Sequence, residues 1–280
     1  MRQPLLKILH SPEVDLAVWE WPGADPPLLF AHATGFHGRC WDRIIRMFPD
    51  RRCLALDSRG HGRSGKPAPP CLWRAFGRDL VFVAETMNIR DAIGIGHSMG
   101  GHISTQAAAA RPETYAAILL VDPTIFPPEY YGGTPPDASF TLRRRNQWKS
   151  PDEMYERFHA RMPFQRWRSE ILRDYCDYGV LPNGDGYILA CPPPIEASIY
   201  ENSKANDSNI YPEIALVRQP VTVMRAGRER QQDVFDLSAS PTSPALASYF
   251  RNGRDVILPG ASHYIAMEEP EAVAAEIRYF

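Results

Sequence analysis

A serine stands between two glycines in the segment Ile93-Gly94-Ile95-Gly96-His97-Ser98-Met99-Gly100-Gly101. The apolar residues before it read as a buried strand, and the Ala-rich run after it reads as a helix. Glycines two residues either side of Ser98 allow a sharp strand-to-helix turn that holds the serine in a strained backbone conformation with its hydroxyl projecting above a sheet. The helix N-terminus beneath favours negative charge as it develops there. This is the arrangement of a nucleophile. A second chemical residue is His263, which closes Leu258-Pro259-Gly260-Ala261-Ser262-His263. It follows the last strand in a turn of small residues, where it reads as the general base that takes the Ser98 proton. The chain has eight histidines, and the others read as structural. His10, His37, His102 and His159 are hydrogen-bonding residues, His97 points away from Ser98 by strand alternation, and His32 and His61 brace loops.

Two such residues can meet only if a scaffold brings them to one edge. Leu5 to His10 and Asp15 to Glu20 read as a pair of strands, and Leu28 to His32 and Cys53 to Asp57 as two more. Between these last two, Trp41, Ile44, Ile45 and Phe48 fall at helical spacing. A helix is expected from Leu72 to Met87, a strand from Ala92 to His97, a helix from Met99 to Ala110 and a buried strand from Ala116 to Asp122. The pattern resumes after Pro220 with strands at Val221 to Ala226 and Asp255 to Leu258 and helices at Ala245 to Phe250 and Glu268 to Phe280. Strands alternating with helices imply an α/β class fold, a mostly parallel sheet covered on both faces. From Pro123 to about Asn209 strand-like runs give way to aromatics, arginines and helical periodicity, read as an inserted helical lid. The expected division is a core of residues 1–122 and 210–280 with a lid over residues 123–209. Pro clusters at 67–70, 123–136 and 192–194 punctuate the chain.

The 280 residues, 44% of them hydrophobic, suffice for a sizeable core, which excludes a disordered chain. With 31 basic and 33 acidic residues there is no excess to neutralise a phosphate backbone, so nucleic acid is not an expected partner. No apolar stretch approaches the roughly 18 residues of a membrane span, and Met1 to His10 lacks a signal-peptide pattern. Five scattered cysteines without a Cys-x-x-Cys pair read as free thiols, and the cytoplasm is the expected compartment.

The sequence resembles the α/β-hydrolase family in four motifs met in the expected order. Beside the nucleophile turn, Leu29-Phe30-Ala31-His32-Ala33-Thr34-Gly35-Phe36 is similar to the family's oxyanion loop, and Asp57-Ser58-Arg59-Gly60-His61-Gly62-Arg63-Ser64 to its Gly-rich turn after the fourth strand. The His263 loop is the fourth. The resemblance implies an α/β-hydrolase fold, a Ser-His-Asp triad and an oxyanion hole from the backbone N–H groups of Met99 and Thr34, the Thr34 hydroxyl being a possible further donor. It departs from the family at the acid. The usual turn after Val221 to Ala226 here reads Gly227-Arg228-Glu229-Arg230, with Arg where Asp is expected. Asp122, at the end of the preceding strand, is the first choice, with Glu229 and then Asp233 as alternatives. An Asp-Pro pair at 122–123 is also a plain turn.

The function implied is a serine hydrolase that cleaves carboxylic esters through an acyl-enzyme, needing no cofactor or metal and acting on a small molecule rather than a nucleic acid or membrane. Serine in place of a carboxylate nucleophile argues against the dehalogenase and epoxide-hydrolase branches. The same triad serves carbon–carbon bond, lactone and amide hydrolysis and cofactor-free perhydrolysis. A non-catalytic ligand-binding member of the fold is the competing reading. The run Arg143-Arg144-Arg145 reads as a solvated helix face, with a clamp for a carboxylated substrate as the weaker reading. Substrate identity and oligomeric state are open at this level.

Overall fold

The computed structural model describes residues 3–227 and 239–280. Eight strands form one sheet: β1 (Leu5–His10), β2 (Asp15–Trp21), β3 (Ala24–Ala31), β4 (Arg51–Asp57), β5 (Ala92–His97), β6 (Tyr115–Val121), β10 (Val221–Ala226) and β11 (Gly253–Leu258). Their order is β1-β2-β4-β3-β5-β6-β10-β11. The β1–β2 and β2–β4 pairs are antiparallel, and every pair from β4 onward is parallel. A parallel strand needs a crossover that lays a helix on a sheet face, so the inner strands are covered on both sides. This is why β5 is buried along its whole length and β6 is apolar nearly throughout.

Two apolar clusters lie against the sheet. One gathers Trp41, Ile44, Phe30, Ile95 and Leu119, and the other Trp73, Phe76, Leu80, Leu56 and Ile103. Helix α1 (Trp73–Thr86) buries Trp73, Phe76, Leu80 and Val83, the three-to-four spacing of one helical face. Its buried Asp79 is matched by Arg59, whose Nε and Nη2 each donate at 2.6 Å. Helix α2 (Met99–Ala110) is buried over its first ten residues, packed against α1 and against β3 and β5, and its buried Gln106 and His102 side chains satisfy each other at 2.9 Å.

The helix expected around Trp41 to Phe48 is shorter than its periodicity suggests, a 3-10 turn at Gly38–Trp41 running into one helical turn at Asp42–Ile45. The C-terminal helix α6 (Pro270–Tyr279) is separated by Glu269 from a preceding turn at Ile265–Glu268, with Pro270 at the first helical position. Between β6 and β10 lie α3 (Pro151–Phe158), α4 (Ser169–Tyr178) and α5 (Pro193–Glu201). This stretch also carries a small antiparallel sheet of β7 (Gln147–Trp148), β8 (Val180–Asn183) and β9 (Gly186–Leu189), which the helical reading of the sequence does not contain. Strands of two to four residues are too short to show an alternating pattern. No helix among the described residues is long and apolar enough to cross a membrane.

Candidate active site

Ser98 is the residue between β5 and α2, and its backbone sits at φ 56°, ψ −118°. That left-handed conformation is costly for a residue with a Cβ and is held only where the surroundings enforce it. The enforcement is close packing of backbone on backbone. A Cβ at Gly96 would fall on the Gly100 carbonyl, and one at Gly100 would fall on the Ala31 carbonyl. Glycine at both positions lets β5, α2 and β3 approach closely enough to close the turn. Ser98 is 6% exposed, with its hydroxyl facing a cavity.

Asp122 follows β6, the neighbour of β5, and its N–H donates to the Met224 carbonyl at 2.7 Å, extending the ladder by one residue. It also has a positive φ, 42°, which Asp tolerates better than most residues. His263 lies beyond β11, so the three residues leave the carboxyl ends of three different strands. The structure brings them together. His263 Nε2 lies 2.9 Å from Ser98 Oγ, and Nδ1 lies 2.7 Å from Asp122 Oδ2. A carboxylate accepts only, so Nδ1 carries the proton and donates to Asp122, leaving Nε2 to accept from Ser98. Asp122 is fully buried and its second oxygen is occupied: Oδ1 accepts from the Ala226 N–H at 2.9 Å and from Ser240 Oγ at 2.7 Å. Thr242 Oγ1 stands at 3.3 Å from the same oxygen and donates at 2.7 Å to the Pro123 carbonyl. Glu229 and Asp233, the alternative acids, lie outside the described residues.

Three features of the site have no motif in the sequence. Thr124 Oγ1 is 2.9 Å from Ser98 Oγ. With the Ser98 proton directed at His263, the Thr124 hydroxyl donates to Ser98 Oγ. Ser240 and Thr242, in a Ser- and Pro-rich loop, brace the acid. Buried His97, whose basicity is pushed down to about 3 by burial and then by its neighbour His263, donates from Nε2 to the His263 carbonyl at 2.8 Å and so anchors the loop that carries that residue. The alternation of β5 points to its direction, and only the fold shows its target.

The loop histidines are braces. His32 Nε2 accepts from the Ser58 N–H at 2.9 Å, and His61 Nε2 accepts from the Gly35 N–H at 3.0 Å, tying the loop after β3 to the turn after β4. Thr34 and Ser98 line the same cavity. Among the described residues, no backbone acceptor takes the N–H of Thr34 or Met99. The Thr34 hydroxyl is directed to Met99 Sδ at 3.5 Å, which makes it a turn-stabilising contact rather than a further donor to a ligand.

The arginine run divides. Arg143 is exposed, Arg145 pairs with Glu153 at 2.7 Å, and Arg144 turns inward to an ion pair with buried Glu196 and donates to the Tyr175 hydroxyl at 3.2 Å. A solvated helix face describes Arg143 and not Arg144. Among the described residues there is no group of three or more His, Cys, Asp or Glu side chains placed to hold a metal ion.

A family model described as the alpha/beta hydrolase family matches residues 28–276. The chain belongs to the alpha/beta hydrolase family. Among curated relatives, it is 25% identical over 267 residues to 2-(acetamidomethylene)succinate hydrolase of Mesorhizobium japonicum, covering 92% of this chain and 88% of that one. It is 35% identical over 115 residues to the lipase LipV of Mycobacterium tuberculosis, covering 40% of this chain and 43% of the lipase. The crystal structure of E-2-(acetamidomethylene)succinate hydrolase superposes with a TM-score of 0.81 at 21% identity over 99% of both chains. These relatives make this alpha/beta hydrolase an enzyme and set the non-catalytic reading aside.

Proposed function

We propose that this alpha/beta hydrolase cleaves carboxylic esters by an acyl-enzyme route with Ser98 as nucleophile, His263 as proton shuttle and Asp122 as the acid that orients it. The observation that carries this reading is the unbroken chain of hydrogen bonds from Ser98 Oγ through His263 to a buried carboxylate, at 2.9 and 2.7 Å. Ser98 Oγ adds to the ester carbonyl as its proton passes to His263 Nε2. The tetrahedral oxyanion then lies against the N–H groups of Met99 and Thr34. His263, now cationic beside Asp122, returns the proton to the departing alkoxide, and the carbon–oxygen bond breaks to leave an acyl-Ser98 ester. Water then adds to that ester with His263 again as base, releasing the acid and restoring the Ser98 hydroxyl. Every group in the cycle belongs to the chain, the substrate or water.

Five buried cysteines outside any disulfide support a reducing compartment as the working location. The test of the activity is turnover of p-nitrophenyl esters of increasing acyl length, wild type beside Ser98→Ala. The expected result is hydrolysis with an optimum chain length that Ser98→Ala abolishes. Equal rates in both proteins refute the acyl-enzyme route, and no turnover at any length refutes simple esters as the substrate class.

A further inference from the structure

The cavity at Ser98, about 150 Å³, opens beside a second chamber of about 340 Å³. The two share Thr34, Phe36, Phe140, Tyr200 and Tyr264 as walls, so a molecule with its carbonyl at Ser98 has room to extend past the oxyanion loop. The second chamber differs in character from the first. Its apolar wall is aromatic, with Phe158 and Phe164 stacked at 4.4 Å between ring centres and Tyr175 beside them. Four arginines, Arg144, Arg145, Arg157 and Arg161, line it against a single carboxylate, Glu196. This concentration of positive charge occurs in a chain whose net charge is -2.

The four are not equivalent. Arg144 is spent on Glu196 and Tyr175, and Arg145 on Glu153. Arg157, on the last turn of α3, and Arg161, in the bend three residues past its end, have no ion-pair or hydrogen-bond partner for their guanidinium groups among the described residues. Two exposed guanidinium groups of one sign that line one chamber repel each other when it is empty. A carboxylate between them removes that repulsion and accepts charge-assisted hydrogen bonds from both. Arg144 and Arg145, compensated by Glu196 and Glu153, leave the charge of Arg157 and Arg161 as the part open to a ligand.

We infer that the second chamber is an anion subsite in which Arg157 and Arg161 grip a carboxylate on the arm of the substrate remote from the scissile bond. The substrate class is then an ester that also carries a free carboxylate, such as a half-ester of a dicarboxylic acid. This rests on the hydrolase reading for the reacting end only, because binding of the remote carboxylate requires no chemistry.

The experiment therefore separates the two. In the catalytically silenced Ser98→Ala protein, calorimetric titration compares monomethyl half-esters from succinate to suberate with their dimethyl esters. At one or more chain lengths the half-ester binds at least about tenfold more tightly than the dimethyl ester, as expected for an exposed charge-assisted pair. Adding Arg157→Gln and Arg161→Gln erases that preference, while Arg143→Gln, outside the chamber, preserves it. Both arginines are exposed, and an unchanged melting temperature verifies that the variant is folded. Equal or unmeasurable binding of half-ester and diester at every length, or a preference that survives the double substitution, overturns the subsite. A preference for half-esters together with no ester turnover by the wild type upholds the subsite and refutes the ester hydrolase reading alone.

Discussion

Asp122→Asn replaces one carboxylate oxygen by an NH₂ group, and the structure decides which. Oδ1 accepts at 2.9 Å from the Ala226 N–H, a backbone donor that cannot rotate into an acceptor. Ser240 Oγ approaches the same oxygen at 2.7 Å. An asparagine must therefore keep its carbonyl oxygen on that side and turn its NH₂ toward His263 Nδ1, 2.7 Å away in the parent. Nδ1 then has to accept, the ring proton moves to Nε2, and Nε2 can no longer take the Ser98 proton. A histidine locked in the wrong tautomer costs about 10⁴-fold in kcat, or roughly 5 kcal/mol of transition-state stabilisation. The fold is not expected to suffer, because the Ala226 N–H keeps its acceptor and the volume is unchanged. The assay is kcat on the best p-nitrophenyl ester, with the melting temperature measured alongside. A kcat within tenfold of wild type in a folded protein refutes the reasoning and moves the orienting role to Glu229 or Asp233.

Two further predictions concern the scaffold. Gly100→Ala sets a Cβ against the Ala31 carbonyl, a backbone atom of β3 that cannot step aside, so turnover and melting temperature fall together; an active variant with wild-type stability contradicts the close-packed turn. Asp174 is half-buried near Asp42, and desolvation followed by that like charge outweighs the Arg46 guanidinium 3.7 Å away and pushes its pKa up to about 7. The folded protein thus holds a proton that the unfolded chain has released between its ordinary 3.8 and about 7, so stability falls as pH rises through that window, by at most about 1.4 kcal/mol per pH unit. Asp174→Asn removes the charge, and its gain in melting temperature is larger at pH 8 than at pH 5; an equal or smaller gain at pH 8 contradicts the assignment.

What the sequence reveals of this site follows from how local each requirement is. Gly96 and Gly100 are legible because they stand two residues either side of Ser98, where the sharp turn brings backbone against backbone, at Gly100 for the first and at Ala31 for the second. Asp122 is legible because an acidic residue at the carboxyl end of an all-apolar strand has one direction to face. The His263 loop is read the same way from its small residues and its place after β11. The braces are not legible, since Ser240, Thr242 and Thr124 reach their partners across 118, 120 and 26 positions of chain and belong to residue types common in any turn. Arg144 misleads for a related reason. Three consecutive arginines look solvated until α5 delivers Glu196, 52 positions away, to the middle one. The sheet of β7, β8 and β9 escapes because pairing, and not residue pattern, makes strands that short.

The measurement that tests the central claim most directly is intact-mass spectrometry with peptide mapping after treatment with a fluorophosphonate, which bonds covalently only to a serine activated by a neighbouring base. The account predicts one adduct per chain, on Ser98, absent from Ser98→Ala and slowed by orders of magnitude in His263→Ala. An unlabelled wild-type chain, or an adduct on another residue that persists in Ser98→Ala, contradicts it.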